Sequence, residues 1–429
     1  MMQRREYPMT GDVLYSGTAA CGLRVRVLTK EGFTGSYAVF ATDYGGTYRR
    51  FVLDGQEMDT PAGVAHYLEH KMFDLPDGEN ALTILSSRGA DVNAFTSTDI
   101  TAYHFQCTEG FEENLRTLLH FVSTPYFTEE TVEKERGIIE QEIHMGEDSP
   151  GNANYYSLLG LLYQKHPIRE KVIGSVESIS RITAETLYQC HRAFYRPSNM
   201  VLAVAGDVDP EDVLRIVDEE LASADPERPQ VLMEADEDLV PAETRSVLQM
   251  PVSQPLFLIG AKILPEKEGP ALCRQDLVAS LAAVMLAGQS SPLYHRLYEQ
   301  GLLNRRFDCG ADRSRGVAYE IFGGESRDPE AVFQALCEEI RRVSEHGFDP
   351  ALFERMKRVA IGGNLRVMED FEDVCVSLAS AEFDGYCYLD MPAISMELTL
   401  AECEDFVRTW LQPERLVMSI VQPSEASQA

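Results

Sequence analysis

Two stretches of this chain are written in the same pattern. "FEENLRTLLHFVSTPYFTEETVEKERGIIEQE" runs from Phe111 to Glu142, and "PEAVFQALCEEIRRVSEHGFDPALFERMKRVAIGG" runs from Pro329 to Gly363. Each reads as an amphipathic helix, a turn, a capping residue (Thr128 or Asp349) and a longer helix. Phe127 falls on Phe348, a shift of 348 − 127 = 221 residues. Strand-like runs open each half: "LRVRVLTK" and "SYAVFATDY" in the first, "RSVLQM" and "PLFLIGAKIL" in the second. Two repeats of this length are too few and too long for a solenoid. They predict two duplicated α+β domains. The polar, acidic, proline-rich stretch from Leu221 to Ser246 marks the boundary. The expected division is 1–225, a linker over 226–244, and 245–429.

Asp and Glu outnumber Lys and Arg by 69 to 38. Nucleic-acid binding needs a basic footprint, so that partner class is excluded. The acidic excess is spread along the chain and reads as solubility. No apolar run looks long enough to cross a membrane, and the basic N-terminus has no apolar segment behind it. The nine cysteines are dispersed without a paired spacing, as expected of reduced thiols. A cytoplasmic protein is the expectation.

Under a shift of 221, "PAGVAHYLEHKMF" (Pro61–Phe73) has no chemical counterpart in the second half: His66, Glu69 and His70 fall on Ala287, Ser290 and Ser291. A purely structural motif would have less reason to be so one-sided. On a helix, His66 and His70 project from one face about 40° apart, at ~100° per residue. Two imidazoles so placed suit Zn²⁺, and a carboxylate just before the second can reach a water at the metal. The arrangement inverts the commoner His-Glu-x-x-His order. Two buried histidines with a surface glutamate would be the plainer account of either histidine alone, but not of the whole pattern in an apolar helix.

A catalytic zinc takes a third protein ligand. In "TEETVEKERGIIEQEIHMG" (Thr128–Gly146), Val132, Ile138, Ile139 and Ile143 define an apolar arc. Glu135 and Glu142 fall within it, two turns apart, while Glu133 and Glu140 fall on the opposite flank. One inward carboxylate can bind metal while the other orients a histidine; an interhelix ion pair is the alternative.

His66-Tyr67-Leu68-Glu69-His70, followed 72 residues after His70 by Glu142 in "ERGIIEQE", resembles the insulinase (pitrilysin, M16) metallopeptidases. "GADVNAFTSTDITAYHF", "HPIREKVIGSVESISRIT" and "YRPSNMVLAVAGDVDPEDV" extend the resemblance. It is nearest to a Gram-positive bacterial subgroup associated with elongation factor P modification. The resemblance implies one zinc per chain on His66, His70 and Glu142, Glu69 as general base, and Glu135 orienting a ligand histidine. It also implies two homologous domains, each a mostly antiparallel sheet with helices packed on one face. The strand around Asn93, Ala94 and Phe95 is then a sheet edge that binds the substrate backbone by strand addition, with Asn93 on a backbone group and Phe95 as a pocket wall.

Active relatives supply an Arg and a Tyr from a second domain or a partner, to hold the substrate and its oxyanion. Here "SSPLYHRLYEQGLLNRRF" has Tyr298 where the Arg is expected and Asn304 near the Tyr position. The expectation is a zinc-dependent endopeptidase of short or unfolded peptides. It would work with a related subunit that supplies the pair, or as a homodimer. The alternative is a zinc-stabilised peptide-binding scaffold.

Overall fold

The computed structural model describes residues 1–221, 229–232 and 237–424. Of the expected linker, 226–228 and 233–236 lie outside the described residues. Gln230–Val231 pairs with the strand Arg50–Leu53, which in turn pairs with Gln56–Asp59.

Two compact units are present, and they do not follow the contiguous division expected from the linker. The first comprises Met1–Ile143, Glu170–Met233 and Leu365–Asp390; the second comprises His144–Arg169, Glu234–Asn364 and Met391–Ala429.

The first unit is built on a seven-stranded sheet. In spatial order its strands are Gln3–Tyr7, Asp12–Thr18, Arg24–Thr29, Met200–Gly206, Ser36–Thr42, Thr101–Cys107 and Asp91–Thr96. Only Arg24–Thr29 and Met200–Gly206 pair in parallel. The second unit has five strands, in the order Arg245–Met250, Val417–Pro423, Leu256–Ile263, Val317–Glu325 and Asp308–Ser314. Its first pair is the parallel one. This order and sense repeat the last five strands of the first sheet, so the duplication is visible in the topology.

Helices α1 (Val64–Lys71), α2 (Ala81–Ser87) and α3 (Phe111–Ser123) cover one face of the first sheet, with Pro210–Glu220 beside α3. Helix α4 (Glu129–Glu147) follows, capped by Thr128, whose Oγ1 accepts from Thr131 N at 3.2 Å. Asp349 does the same for Pro350–Val367, accepting from Ala351 N at 3.0 Å.

In addition, each sheet carries one helix on its opposite face, taken from the other half of the chain. Phe371–Phe383 lies on the central strands Ser36–Thr42 and Met200–Gly206 of the first unit. Helix α5 (Pro150–Leu162) lies on Leu256–Ile263 and Val417–Pro423 of the second. The two helices are themselves repeats, since 150 + 221 = 371 and 162 + 221 = 383. Gly260 admits α5 closely: a Cβ there would stand 3.1 Å from Leu162 and 3.2 Å from Leu158.

The repeat register also drifts. Gly89 and Gly301, both with positive φ, close the helices that precede the two edge strands, a shift of 301 − 89 = 212. One residue then leads into Asp91–Thr96, whereas six, 302–307, lead into Asp308–Ser314.

One sequence expectation is corrected here. The stretch Gly269–Glu299 is long and apolar enough by length and composition to cross a membrane. The structure makes Gly269–Ala287 a helix of the second unit, with Leu281, Ala282, Ala283 and Leu286 buried in it. A core helix satisfies the same compositional test as a membrane span.

Candidate metal centre

The site is built from α1, the part of α4 up to Ile143 and the edge strand Asp91–Thr96, all within the first unit. Helix α1 starts at Gly63, whose φ is 96°; a Cβ there would sit 2.6 Å from the carbonyl oxygen of Ile173. Only glycine meets both demands. Val64, Ala65, Tyr67 and Leu68 are buried, and the Tyr67 hydroxyl donates to the Val132 carbonyl of α4. That bond fixes α1 against α4, and helical periodicity does the rest.

His66 Nε2 lies 3.6 Å from Glu142 Oε1, and His70 Nε2 lies 3.7 Å from Glu142 Oε2. One donor atom from each of the three residues can be chosen so that all lie within 4.8 Å of one another. Tetrahedral zinc with bonds of about 2.0–2.2 Å places its donors roughly 3.3–3.5 Å apart. Two imidazoles and a carboxylate are a donor set that zinc takes, leaving a fourth position open. The residues therefore fit the ion.

The electrostatics agree with that fit. Burial, reinforced by the neighbouring His70, pushes His66 down to about 3, so its imidazole is neutral with a lone pair free for a metal. His70 also pays a burial penalty. The hydrogen bond to Glu135 and the charges of Glu69, Glu135 and Glu142 outweigh it, and its net shift is upward. His70 Nδ1 lies 3.0 Å from Glu135 Oε1. That bond to His70 holds the Glu135 carboxyl below its usual range. A carboxylate on Nδ1 leaves Nε2 as the ligating nitrogen. Glu135→Gln is expected to weaken zinc affinity by about 10–100-fold without unfolding the protein; a competitive chelator titration measures it.

Glu69 points to the other flank of α1 and is 7% exposed. Burial raises its carboxyl, against the lowering effect of a hydrogen bond from Thr96. Thr96 Oγ1 donates to Glu69 Oε2 at 2.6 Å. Sequence reasoning missed Thr96. Strand alternation could have pointed to it, because residues 92, 94 and 96 share one face.

The strand Asp91–Thr96 is an edge, paired on one side only with Thr101–Cys107. Val92 and Ala94 pack on the core beneath α1, whereas Asn93 and Phe95 project from the opposite face, opposite His104 and Ala102 in the ladder. The Phe95 ring is 6.2 Å from His104, which stacks on Tyr37. Asn93 Oδ1 accepts from the Ala94 N–H at 2.9 Å. The structure thus places the backbone of 93–95 on the exposed edge and the Asn93 and Phe95 side chains on the sheet face away from His66 and His70.

The second unit repeats the framework without the chemistry. A shift of 212 carries His66, Glu69 and His70 to Val278, Leu281 and Ala282; a shift of 221 carries Glu135 and Glu142 to Met356 and Gly363. Leu281 and Met356 line an apolar cavity of about 440 Å³ with Leu277, Val284, Phe307 and Met391. Tyr298 is 45% exposed and stacks on Tyr294. Asn304 Nδ2 donates to Glu325 Oε2 at 3.0 Å, and Arg306 pairs with the other oxygen of Glu325 at 2.5 Å.

The family description "Insulinase (Peptidase family M16)" matches residues 52–175, and "Peptidase M16 inactive domain" matches 181–359. "Uncharacterized zinc protease YmfH" of Bacillus subtilis (strain 168) is 35% identical over 433 residues, covering 99% of this chain and 100% of that protein. "Uncharacterized zinc protease ML0855" of Mycobacterium leprae (strain TN) is 33% identical over 168 residues, 38% of each chain. A crystal structure of an M16-like protein from Alicyclobacillus acidocaldarius matches with a TM-score of 0.92 at 32% identity, covering 99% of both chains.

Proposed function

Because the chain belongs to the insulinase (M16) peptidase family, we propose that it is a zinc-dependent endopeptidase acting on short or unfolded peptides. The observation that carries this reading is the buried Glu69, held by Thr96 and adjacent in α1 to a two-histidine, one-carboxylate cluster. A structural metal site has no use for such a base.

His66, His70 and Glu142 would hold the ion, one per chain. When bound, zinc supplies Lewis acidity, which acidifies water and polarises a peptide carbonyl. Glu69 takes a proton from the attacking water and returns it to the departing amine. Its burial-raised carboxyl brings its proton affinity closer to that of a base working near neutral pH. Glu135 keeps His70 in the tautomer that ligates. The free edge of Asp91–Thr96 would bind an extended peptide by strand addition through the backbone of Asn93, Ala94 and Phe95.

Tyr298 and Asn304 offer no Arg/Tyr pair for the oxyanion. A related M16 subunit that brings the pair is therefore the proposed partner, with a homodimer as the other arrangement. A cytoplasmic setting, and the subgroup associated with elongation factor P modification, are proposed on composition and motif resemblance.

The test is cleavage of a mixed peptide library by the zinc-loaded chain, alone and co-expressed with a related subunit. Glu142→Ala serves as control and is expected to lose the zinc and all cleavage while keeping its unfolding midpoint in metal-free buffer. Absence of cleavage in both settings would overturn the peptidase reading in favour of a scaffold. Unfolding of the variant would mark the site as structural.

A further inference from the structure

We propose that Thr96 is a positioning residue that ties substrate docking to the orientation of the base. The proposal rests on the peptidase reading above and adds a role to a residue outside the metal-binding set.

Thr96 ends the edge strand, and its hydroxyl is the one donor to Glu69 among the described residues. Thr101 Oγ1 lies 3.3 Å from Thr96 Oγ1 and donates to the Tyr44 carbonyl at 2.9 Å. A hydroxyl has one proton. Ionised Glu69 can only accept, so the Thr96 proton goes to Glu69 Oε2 at 2.6 Å rather than to the more distant Thr101 hydroxyl, and Glu69 Oε1 remains for proton transfer.

The turn after Thr96 is clamped. Ser97 N donates to Ile100 O at 2.8 Å, Gly46 N to Ser97 O at 2.9 Å, and Thr47 N to Thr98 O at 2.9 Å. Thr47 Oγ1 adds a bond to the same Thr98 carbonyl at 2.7 Å. Gly45 closes the clamp: a Cβ there would stand 2.4 Å from Asp99 N, so only glycine fits. Thr96 therefore has a fixed turn on one side and a free strand edge on the other. A peptide that pairs with this edge bonds to the same short strand that holds the base. Substrate register and carboxylate orientation are thus set by one element, and an interaction that orients the base contributes to the chemical step rather than to binding.

Thr96→Val keeps the β-branched shape and removes the donor, while Thr96→Ser restores it. The expected result for Thr96→Val is a loss of about 10–100-fold in kcat, with KM and zinc content unchanged and recovery in Thr96→Ser. A loss carried by KM or by zinc content, an undiminished kcat in Thr96→Val, or a Thr96→Ser variant as slow as Thr96→Val would each overturn the proposal. A crystal structure of metal-free Thr96→Val decides independently of activity. The Glu69 carboxylate should leave its wild-type position, and an unmoved carboxylate would refute the role. If the wild type cleaves no peptide, the peptidase reading fails by itself, and the crystallographic comparison still decides whether Thr96 orients Glu69.

Discussion

Glu69→Gln is expected to lower kcat for peptide cleavage by about 10²–10⁴-fold, the range that a positioned general base contributes. Zinc content should stay at the wild-type value, because none of the three clustered donors is touched. The glutamine retains the volume of the buried side chain and a carbonyl oxygen that accepts the Thr96 hydroxyl. It cannot take a proton from water. Stability should not fall either. Burial raises the Glu69 carboxyl, so the folded protein holds that proton more tightly than the unfolded chain does. The ionised group therefore costs stability as pH rises, and glutamine removes that cost. The measurement pairs a fluorogenic peptide assay with metal analysis and a thermal unfolding scan on the same samples. Cleavage that survives with zinc in place would move the base to another residue. Loss of zinc together with cleavage would make Glu69 a structural support of the centre.

Helical arithmetic carried much of this site. His66 and His70 share a face of α1 because they are four apart, and Glu135 and Glu142 share a face of α4 because they are seven apart. These are local relations, and the fold had only to bring two helices together. Thr96 was harder to read. Its partner lies 27 residues away, and the bond exists only because the edge strand ends beside α1. Alternation places Thr96 on the face of Val92 and Ala94, but it places Thr98 there equally, so the pattern in "DVNAFTSTDI" does not choose between them. The assignment of side chains to sheet faces was lost for the same reason: alternation separates Asn93 and Phe95 from Val92 and Ala94, but the face that carries α1 is set by tertiary packing.

The repeat was legible as a helical pattern. The uniform shift failed after Gly89 and Gly301, where the loop 302–307 in place of a single residue accounts for five of the 221 − 212 = 9 positions by which the counterparts of the metal-site histidines move. Least legible was the exchange of helices. "PGNANYYSLLGLL" and "FEDVCVSLASAEF" each read as an apolar helix. An apolar face states that it needs a sheet to cover, not which of two similar sheets it covers. Domain division by linker composition assumes that each half covers its own sheet, and here each half covers only one face of it.

That exchange has a large measurable consequence. A fragment of residues 1–225, the natural cut from sequence, is expected not to fold. In the intact chain Val39, Ala41, Val201, Ala203 and Ala205 are fully buried and Tyr37 is 1% exposed. These residues form the sheet face on which Phe371–Phe383 lies, against Val374, Cys375 and Leu378. Removing the helix returns that face to water. At about 1.5–3 kcal/mol for each large side chain, Tyr37, Val39 and Val201 alone lose roughly 5–9 kcal/mol, comparable with the whole stability of a typical domain, about 5–15 kcal/mol. The fragment also loses two contacts that arginines of the sheet make to Glu382. Arg26 pairs with Glu382 at 2.7 Å and Arg24 bonds to the Glu382 carbonyl at 3.0 Å, both from largely buried positions. Fragment 1–225 should therefore aggregate, or show no cooperative transition in urea, while a fusion that appends residues 365–390 through a flexible linker should recover a single transition. A monomeric fragment 1–225 with a cooperative unfolding curve would show that the first sheet closes without the borrowed helix. Failure of the fusion, with the fragment also unfolded, would instead assign the missing stability to contacts other than Phe371–Phe383.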